Sequence, residues 1–143
     1  YPKHPQEVAE RLRSSLLRNV RSRRKEARLG VVLSDSRITP TRLGTIGIAI
    51  AAAGFDPVID FRGFSDLFGN KLKVTVRAVA DELASSAQLV MGEAAESVPI
   101  VVVRGCKAEF VGDESAEKDG TLSMLISHEK CLYIQGLKNE FKG

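Results

Sequence analysis

The sequence has no tryptophan, only two cysteines and two histidines, and no long apolar run. Cys106 and Cys131 lack paired spacings such as C-x-x-C, so we expect neither a disulfide framework nor a zinc site, and a reducing cytoplasmic location is favoured. His4 and His128 have no second ligand beside them, which is typical of solvated surface histidines. No apolar stretch reaches the roughly 18 to 20 residues that a membrane helix needs. We therefore do not expect a membrane protein.

Several common enzyme signatures are also missing. The sequence contains neither the glycine pattern of a dinucleotide-binding fold nor the G-x-x-x-x-G-K-[ST] phosphate loop, so any nucleotide site must be built in another way. It has no G-x-S-x-G nucleophile elbow and no plausible cysteine and histidine pair. Standard hydrolase chemistry therefore has little support.

The length and composition indicate one compact domain. A chain of 143 residues, with 43% hydrophobic and 27% charged residues, is long enough to bury a core but short for a two-domain enzyme. We therefore treat residues 1–143 as a single domain. The sequence starts at Tyr1 without an initiator methionine or a secretory signal, so its first residue need not be the first residue of the gene.

The net charge of +3 is concentrated near the N-terminus. Residues 1–28 hold nine Lys or Arg against three Glu, a balance of +6, which leaves −3 for the rest. Such a cluster could bind nucleic-acid phosphates. However, Val8, Leu12, Leu16 and Val20 recur every four positions, as on the core-facing side of a helix, which places the arginines on its solvated side. No aromatic residue interleaves with the charges for base stacking, so nucleic-acid binding is the weaker alternative.

The pattern along the chain predicts an α+β fold. Pro5 and Gly30 bracket the N-terminal helix. The remaining predicted elements are a buried strand at 30–34, a second strand at 45–53 with a face close to another backbone, a strand at 71–79, a helix at 81–91, a strand at 99–105, a polar connection at 112–120 and an amphipathic tail from Leu122. Because strands and helices do not alternate regularly, we expect a mixed sheet flanked by helices.

Two carboxylates lie at predicted element ends. Asp35 follows the strand at 30–34, where a side chain points into the crevice above a sheet. Glu93 follows Gly92 at the C-terminal end of the predicted helix, where the helix dipole disfavours an acid. Together with the hydroxyl of Ser36, these hard oxygen ligands would suit Mg²⁺ or Mn²⁺. The alternative is that Asp35 caps a turn through an Asx-type hydrogen bond.

Several blocks carry a family resemblance. These are "VVLSDS" followed by Arg42 and Gly44, then "GIAIAAAGFDPVIDFRG", "DLFGNKLKVTVRAVADELASSAQLVMGEA" and "VPIVVVRG". In this order and spacing they resemble the coenzyme F420:L-glutamate ligase family, also called gamma-glutamyl ligase. The similarity runs from about residue 5 to 105, with a weaker echo at "ISHEKCLY".

The resemblance implies a ligase that uses GTP, a divalent metal ion (Mg²⁺ or Mn²⁺) and a stimulating K⁺ ion. It would join L-glutamate by an amide bond to the carboxylate of a deazaflavin coenzyme precursor, through an acyl phosphate, releasing GDP and phosphate. Phosphoryl transfer of this kind needs cationic groups at the developing charge. The family's metal ligands match Asp35, Ser36 and Glu93, and its motif arginine matches Arg42, a catalytic residue. The nucleotide-contacting segment matches Met91, Gly92, Glu93, Ala94, Ala95, Glu96 and Ser97.

The chain departs from the family motif in this region. The family reads Asp-Thr-x-Gly-Arg-x-aromatic-Arg, where this sequence reads Asp35, Ser36, Arg37, Ile38, Thr39, Pro40, Thr41, Arg42. Ser36 still offers an oxygen ligand. Thr39 replaces an arginine, which weakens the binding of a phosphate or an acidic substrate unless Arg37 supplies the positive charge instead. Ala94 and Ala95 replace glycines. A diverged homologue that binds nucleotide or ligates another carboxylate is therefore the alternative function.

The resemblance also implies a larger, two-part ligase fold. Family members carry an N-terminal half that supplies a further metal-binding acid, and this half would lie before Tyr1. We expect it to be supplied in the same chain or as a separate chain, and we expect residues 1–143 alone to be inactive. The family forms homodimers. The small-residue strand around Ala51 could serve such an interface or lie in the core.

Overall fold

The computed structural model describes residues 2–112 and 124–140, which form an α+β fold. The α+β class predicted from the sequence is therefore confirmed. The elements in chain order are α1 (Pro5–Arg21), β1 (Val31–Ile38), β2 (Thr45–Ala53), β3 (Ile59–Asp60), β4 (Val76–Arg77), α2 (Val79–Met91) and α3 (Leu132–Glu140). The predicted connection at 112–120 lies, apart from residue 112, outside the described residues, as does the start of the predicted tail.

Strands β1 and β2 form an antiparallel hairpin across the turn at residues 39–44. Its register shifts between Leu33 and Ser34, where β2 carries one extra residue. Strands β3 and β4 form a second antiparallel pair, two residues long. In the described residues the predicted mixed sheet is thus replaced by two small antiparallel sheets. Strands joined by short connections pair antiparallel, whereas a parallel pair needs a long crossover.

Both long helices pack against β2, which is rich in small residues. Ala51 and Ala53 form one buried cluster with Ala9 of α1. The other helix packs on Ala49 and Ala52, in a second cluster whose remaining buried members are Phe55, Val79 and Ala80. The predicted close backbone approach of this strand is confirmed, because small side chains let helix and strand come together. The strand serves as core between the two helices.

The buried stripe of α1 differs from the predicted one. The buried residues are Ala9 and Leu17, whereas Leu12, Leu16 and Val20 are 43%, 48% and 38% exposed. The helix turns its small residue Ala9 toward the alanines of β2, and this rotates the longer apolar side chains outward.

Arg13 is also placed differently from the prediction. It lies between Ala9 and Leu17 on the contact side of α1, and its Nε donates a hydrogen bond of 3.0 Å to the carbonyl oxygen of Leu29. The arginines of α1 are therefore not confined to the solvated face, because a guanidinium can hydrogen-bond to a backbone carbonyl while its stem packs on the core.

Three strand predictions need correction. The strand predicted at 30–34 continues to Ile38, so Asp35 lies within it and pairs with Ile48. Of the strand predicted at 71–79, only Val76–Arg77 is a strand. No strand forms at 99–105, a stretch that lies wholly in the described part of the chain. Apolar patterning favours a strand, but the strand exists only where a neighbour supplies backbone hydrogen bonds.

The two predicted helical segments beyond the hairpin are closer to the structure. Helix α2 begins at Val79, two residues before the predicted start, and ends at Met91 as predicted. Part of the tail is helical, as α3. In residues 2–112 and 124–140, none of the helices combines the length and apolar character needed to cross a membrane.

Candidate functional site

A cleft of about 550 Å³ lies between the hairpin and the end of α2. Strand β1 contributes Ser34, Asp35 and Ser36 to one wall, and Gly47 of β2 lies beside them. The rest of the lining comes from Gln88 and Met91 in the last turn of α2 and from residues 92–94 and 97–99. Chain segments that are far apart in sequence therefore meet at one concave surface, which is the usual form of a ligand site.

The cleft brings together all three residues that the sequence analysis assigned to a metal. Asp35, Ser36 and Glu93 line it. From the predicted nucleotide segment it is also lined by Met91, Gly92, Ala94 and Ser97. Among the described residues, Ala95, Glu96 and Arg42 are not part of the lining. The arrangement is compatible with the predicted roles of the lining residues, and those roles stay predictions.

Helix α2 is docked on β2 by polar side chains that face the strand. Asp81 Oδ1 accepts a hydrogen bond of 2.9 Å from the backbone N–H of Ala49. One turn later, the Ser85 hydroxyl donates to the carbonyl oxygen of Gly47 at 2.7 Å. Residues four apart lie on the same side of a helix, so both contacts use one face of α2. They hold the C-terminal end of the helix at the cleft.

The helix ends at Gly92, which turns the chain into the cleft wall. Gly92 has φ +74° and ψ −172°, a conformation that residues with a side chain rarely adopt. Its N–H donates to the carbonyl oxygen of Gln88 at 2.9 Å, closing the last turn. Glycine is favoured here by this backbone conformation, and a β-carbon would also displace the Glu96 carboxylate from its present position.

Glu93 is held by side chains from two other positions. Its Oε1 accepts a hydrogen bond of 2.8 Å from the Thr45 hydroxyl, at the first residue of β2. The same oxygen accepts a hydrogen bond from the side-chain amide of Gln88, in the last turn of α2. The carboxylate is therefore oriented by donors that carry no charge.

The Glu96 carboxylate is bound to the backbone of its own loop. Its Oε2 accepts a hydrogen bond of 2.8 Å from the N–H of Ala94. Hydrogen bonds from backbone N–H groups, that of Ala94 first, lower the pKa of Glu96 from its ordinary value. Donors that stabilise a carboxylate would favour an anionic ligand in the same way.

Asp35 lies in the hairpin and not in the turn that follows it. It pairs with Ile48, and Ser36 pairs with Gly47. An Asx-type cap requires a turn at the residue itself, and here the strand continues for three residues beyond Asp35. The turn-cap alternative therefore has no structural basis. Both side chains are exposed, as a ligand-binding residue requires.

Arg42 lies in the turn at 39–44 that connects β1 to β2. Its N–H donates to the carbonyl oxygen of Thr39 at 3.4 Å, and the preceding Thr41 has φ +60°. The arginine side chain is exposed and lies outside the cleft lining of the described chain. Its catalytic role therefore stays a prediction.

The donor atoms at the cleft fit a hard divalent cation. Two carboxylates and a hydroxyl are oxygen ligands, and Mg²⁺ typically combines one or two carboxylates with water and substrate phosphates. In residues 2–112 and 124–140, no group of three or more His, Cys, Asp or Glu is placed to hold a metal ion.

Sequence reasoning did not identify Thr45 and Gln88, which contact Glu93. For Gln88 a signal was present, because Asp81, Ser85 and Gln88 are spaced so that they share one side of a helix. A polar row on the side of a helix that faces a strand indicates contacts with that strand. For Thr45 the sequence held no such signal, since its partner is 48 residues away.

Comparison with known proteins places this chain in a family. The family model described as F420-0:Gamma-glutamyl ligase matches residues 1–105. The chain is 45% identical over 109 residues to the coenzyme F420:L-glutamate ligase of Methanocaldococcus jannaschii, covering 76% of this chain and 42% of that relative. It is 40% identical over 117 residues to the protein of the same name from Halobacterium salinarum, covering 82% and 42%.

A third relative, the coenzyme F420:L-glutamate ligase of Methanothermobacter thermautotrophicus, is 49% identical over 77 residues, which cover 54% of this chain and 31% of the relative. The chain thus spans less than half the length of the relatives it matches. The family match includes the whole hairpin, α2 and the cleft lining. The chain therefore belongs to the F420-0:gamma-glutamyl ligase family.

Proposed function

We propose that this chain provides the metal- and nucleotide-binding part of a GTP-dependent ligase that joins L-glutamate to the carboxylate of a deazaflavin coenzyme precursor. The observation that carries the proposal is the convergence of Asp35, Ser36 and Glu93 on one cleft within the family match. The names of the relatives support L-glutamate as the amine substrate. The dependence on GTP, Mg²⁺ or Mn²⁺ and K⁺ follows from the resemblance of the sequence motifs.

In the proposed reaction, the terminal phosphoryl group of GTP passes to the substrate carboxylate and GDP leaves. The amine of L-glutamate then attacks the carbonyl carbon of the acyl phosphate, so that a C–N bond forms, the C–O bond to phosphate breaks and the amine loses a proton. A divalent cation, when bound, would offset the charge of the phosphates. Asp35 and Glu93 would hold it from opposite walls, with Ser36 as a neutral oxygen donor.

The loop after α2 would bind the nucleotide, and Arg42, in the exposed turn at residues 39–44, would act on the reacting groups. Backbone N–H groups around Ala94 already stabilise one anionic group, the Glu96 carboxylate. The same kind of donor suits phosphate oxygens. The cleft lining includes Ala94 together with Met91, Gly92 and Ser97.

The complete reaction is proposed for an assembled protein and not for these 143 residues alone. The relatives are more than twice as long as the segments that match this chain. We propose that the part outside the match is required, in the same chain or as a second chain, and that the active protein is a cytoplasmic homodimer. The free thiols of Cys106 and Cys131 agree with a reducing compartment.

The test is a ligation assay on the chain combined with the polypeptide that corresponds to the unmatched part of the relatives. GTP, Mn²⁺, K⁺, L-glutamate and the deazaflavin precursor are supplied together, and GDP release and product mass are measured. We expect a product heavier by one glutamyl residue or more, and no product when GTP is omitted or when the chain carries Asp35→Asn. If the complete mixture releases no GDP, the proposal is rejected.

A second candidate function is favoured by the turn that follows β1. Ile38, which stands in the altered motif, is 74% exposed, and Thr39 and Thr41 occupy the adjoining turn. This protein would bind nucleotide but ligate a different carboxylate. A thermal-shift assay combined with the ligation assay on the assembled protein distinguishes the two. Stabilisation of that protein by GTP with Mn²⁺, without formation of any glutamylated deazaflavin, supports this candidate alone.

A further inference from the structure

The two hydrogen bonds to Glu93 come from side chains that have no assigned role. Thr45 begins β2 and Gln88 lies in the last turn of α2, so the carboxylate is contacted from two separate elements. Both bonds end on Oε1. Two donors on one oxygen restrict the rotation of a carboxylate and leave its second oxygen in a defined direction.

The chemical type of these donors is informative. Among the described residues, the side chains that donate to Glu93 are a hydroxyl and an amide, both neutral. By contrast, two other carboxylates of the fold are paired with arginine, Asp60 with Arg62 and Glu82 with Arg77. A guanidinium would satisfy the carboxylate and cancel its charge, whereas a neutral donor orients the carboxylate and leaves the charge for a cation.

Their placement links Glu93 to the docking of α2. Ser85, three residues before Gln88, is bonded to the carbonyl oxygen of Gly47, and Gly47 lies two residues after Thr45. The helix and the strand that carry the two donors are thus joined next to the site. Such packed, hydrogen-bonded support is what holds a ligand-binding carboxylate in one geometry.

We infer that Thr45 and Gln88 are positioning residues, which hold the Glu93 carboxylate on the cleft wall with its charge available to a divalent cation. The identity of that cation as the metal of a GTP complex rests on the proposed function. The inference that these two side chains hold the Glu93 carboxylate and the loop at residues 91–97 does not depend on the proposed function.

The experiment uses two nearly isosteric changes that remove the donors, Thr45→Val and Gln88→Met, and one that keeps the hydroxyl, Thr45→Ser. Ser86→Ala is the matched control, because Ser86 lies on the same helix and donates only to the carbonyl oxygen of Glu82 in the helix backbone. Thermal unfolding of each variant confirms that it is folded. The two readouts are amide hydrogen exchange of residues 91–97 without metal, and Mn²⁺ binding in the presence of GTP, followed by the electron paramagnetic resonance of free Mn²⁺.

We expect Thr45→Val and Gln88→Met to speed hydrogen exchange in the loop and to weaken Mn²⁺ binding by roughly 10- to 100-fold, as loss of an outer-shell partner does at other metal sites. Thr45→Ser should restore both readouts, and Ser86→Ala should change neither. Unchanged exchange in both donor-deletion variants overturns the inference, as does an equal loss in Ser86→Ala. If the wild-type chain binds no Mn²⁺, the metal proposal fails, while the exchange data still decide whether the two residues hold Glu93.

Discussion

A β-carbon placed on Gly47 would lie 2.7 Å from the carbonyl oxygen of Ala84, so strand β2 and helix α2 meet backbone to backbone. This distance is shorter than any normal contact of a β-carbon. The two nearest obstructing atoms belong to the backbone of Ala84 in α2 and cannot rotate away. The close approach is what allows the Ser85 hydroxyl to reach the carbonyl oxygen of Gly47 and brings the end of α2 to the cleft.

Gly47→Ala should therefore force α2 away from β2. We expect a loss of about 1–3 kcal/mol in the free energy of unfolding, the usual range for overpacking, measured by urea denaturation. Gly136→Ala is the control, because Gly136 lies within α3 and its added β-carbon would meet no atom of the described residues within 4 Å beyond its own helix backbone. That change should stabilise the protein by roughly 0.5–1 kcal/mol through helix propensity. Equal effects of the two substitutions would contradict the backbone contact.

Asp81→Ala should expose the backbone N–H of Ala49 to exchange. The Asp81 carboxylate accepts the hydrogen bond of this N–H, and Ala49 is buried. Leaving a buried donor unpaired costs about 1–3 kcal/mol. Asp81→Asn keeps a carbonyl oxygen at the same place and should lower the free energy of unfolding much less. Amide exchange of Ala49 measured by NMR should be fastest in the alanine variant, and the same order should hold for the free energy of unfolding.

Asp60 should make the folded state sensitive to acid. The side-chain hydrogen bonds from Arg62, with support from the Arg62 backbone N–H, lower the pKa of Asp60 from 3.8 to about 2. Because the folded pKa is below the unfolded value, this stabilisation is fully present above pH 3.8 and is lost as the pH falls through about 2. Since Asp60 is exposed to solvent, we expect only a small change in overall stability.

Arg62→Gln tests the cause of this shift. An NMR titration of the Asp60 carboxyl should give a pKa that moves back toward 3.8 in this variant, by less than the full shift because the backbone N–H of residue 62 remains. Arg77→Gln, which removes the separate pair with Glu82, should leave the Asp60 titration as it is in the wild type. A pKa that does not rise in Arg62→Gln would show that the arginine side chain is not the cause.

Val79 and Val102 should respond differently to the same truncation. Val79 is 2% exposed and belongs to the cluster with Ala49 and Phe55, whereas Val102 is 71% exposed. Val79→Ala should lower the free energy of unfolding by about 2 kcal/mol, because two methyl groups are lost and a cavity is left. Val102→Ala should stay within about 0.5 kcal/mol of the wild type, as surface changes usually do. Thermal and urea unfolding of both variants provide the comparison.

Removal of either cleft carboxylate should weaken binding of Mn²⁺ with GTP. For Asp35→Asn and Glu93→Gln we expect the affinity for Mn²⁺ to fall at least as much as it does when an outer-shell partner is removed, which is roughly 10- to 100-fold. Glu129→Gln, a change of an exposed acid outside the cleft lining, is the matched control. Isothermal calorimetry measures the affinity, and EDTA should abolish the metal-dependent part of GTP binding in the wild type. Similar losses in all three variants would indicate a general charge effect and no specific site.

The best-predicted elements are those whose pattern is local. The residues of β2 alternate isoleucine with small residues from Thr45 to Ala51, and the apolar spacing of α2 places its end at Met91. The stretch at 99–105 has an equally strong apolar pattern, yet Ile100 and Val102 are exposed and no strand forms there. The difference lies in the partner, since β2 has β1 beside it while 99–105 has no strand beside it in the described chain.

The amino-acid sequence by itself determined the α+β class, the span of β2, the end of α2, the family and the oxygen-bearing side chains of Asp35, Ser36 and Glu93. These follow from local residue pattern and residue type. Only the tertiary structure decided that β1 continues through Asp35, that Ala9 and not Leu12 faces the core, and that Thr45 and Gln88 hold Glu93. Hydrogen-bond partners and burial depend on residues distant in sequence, so no local pattern specifies them.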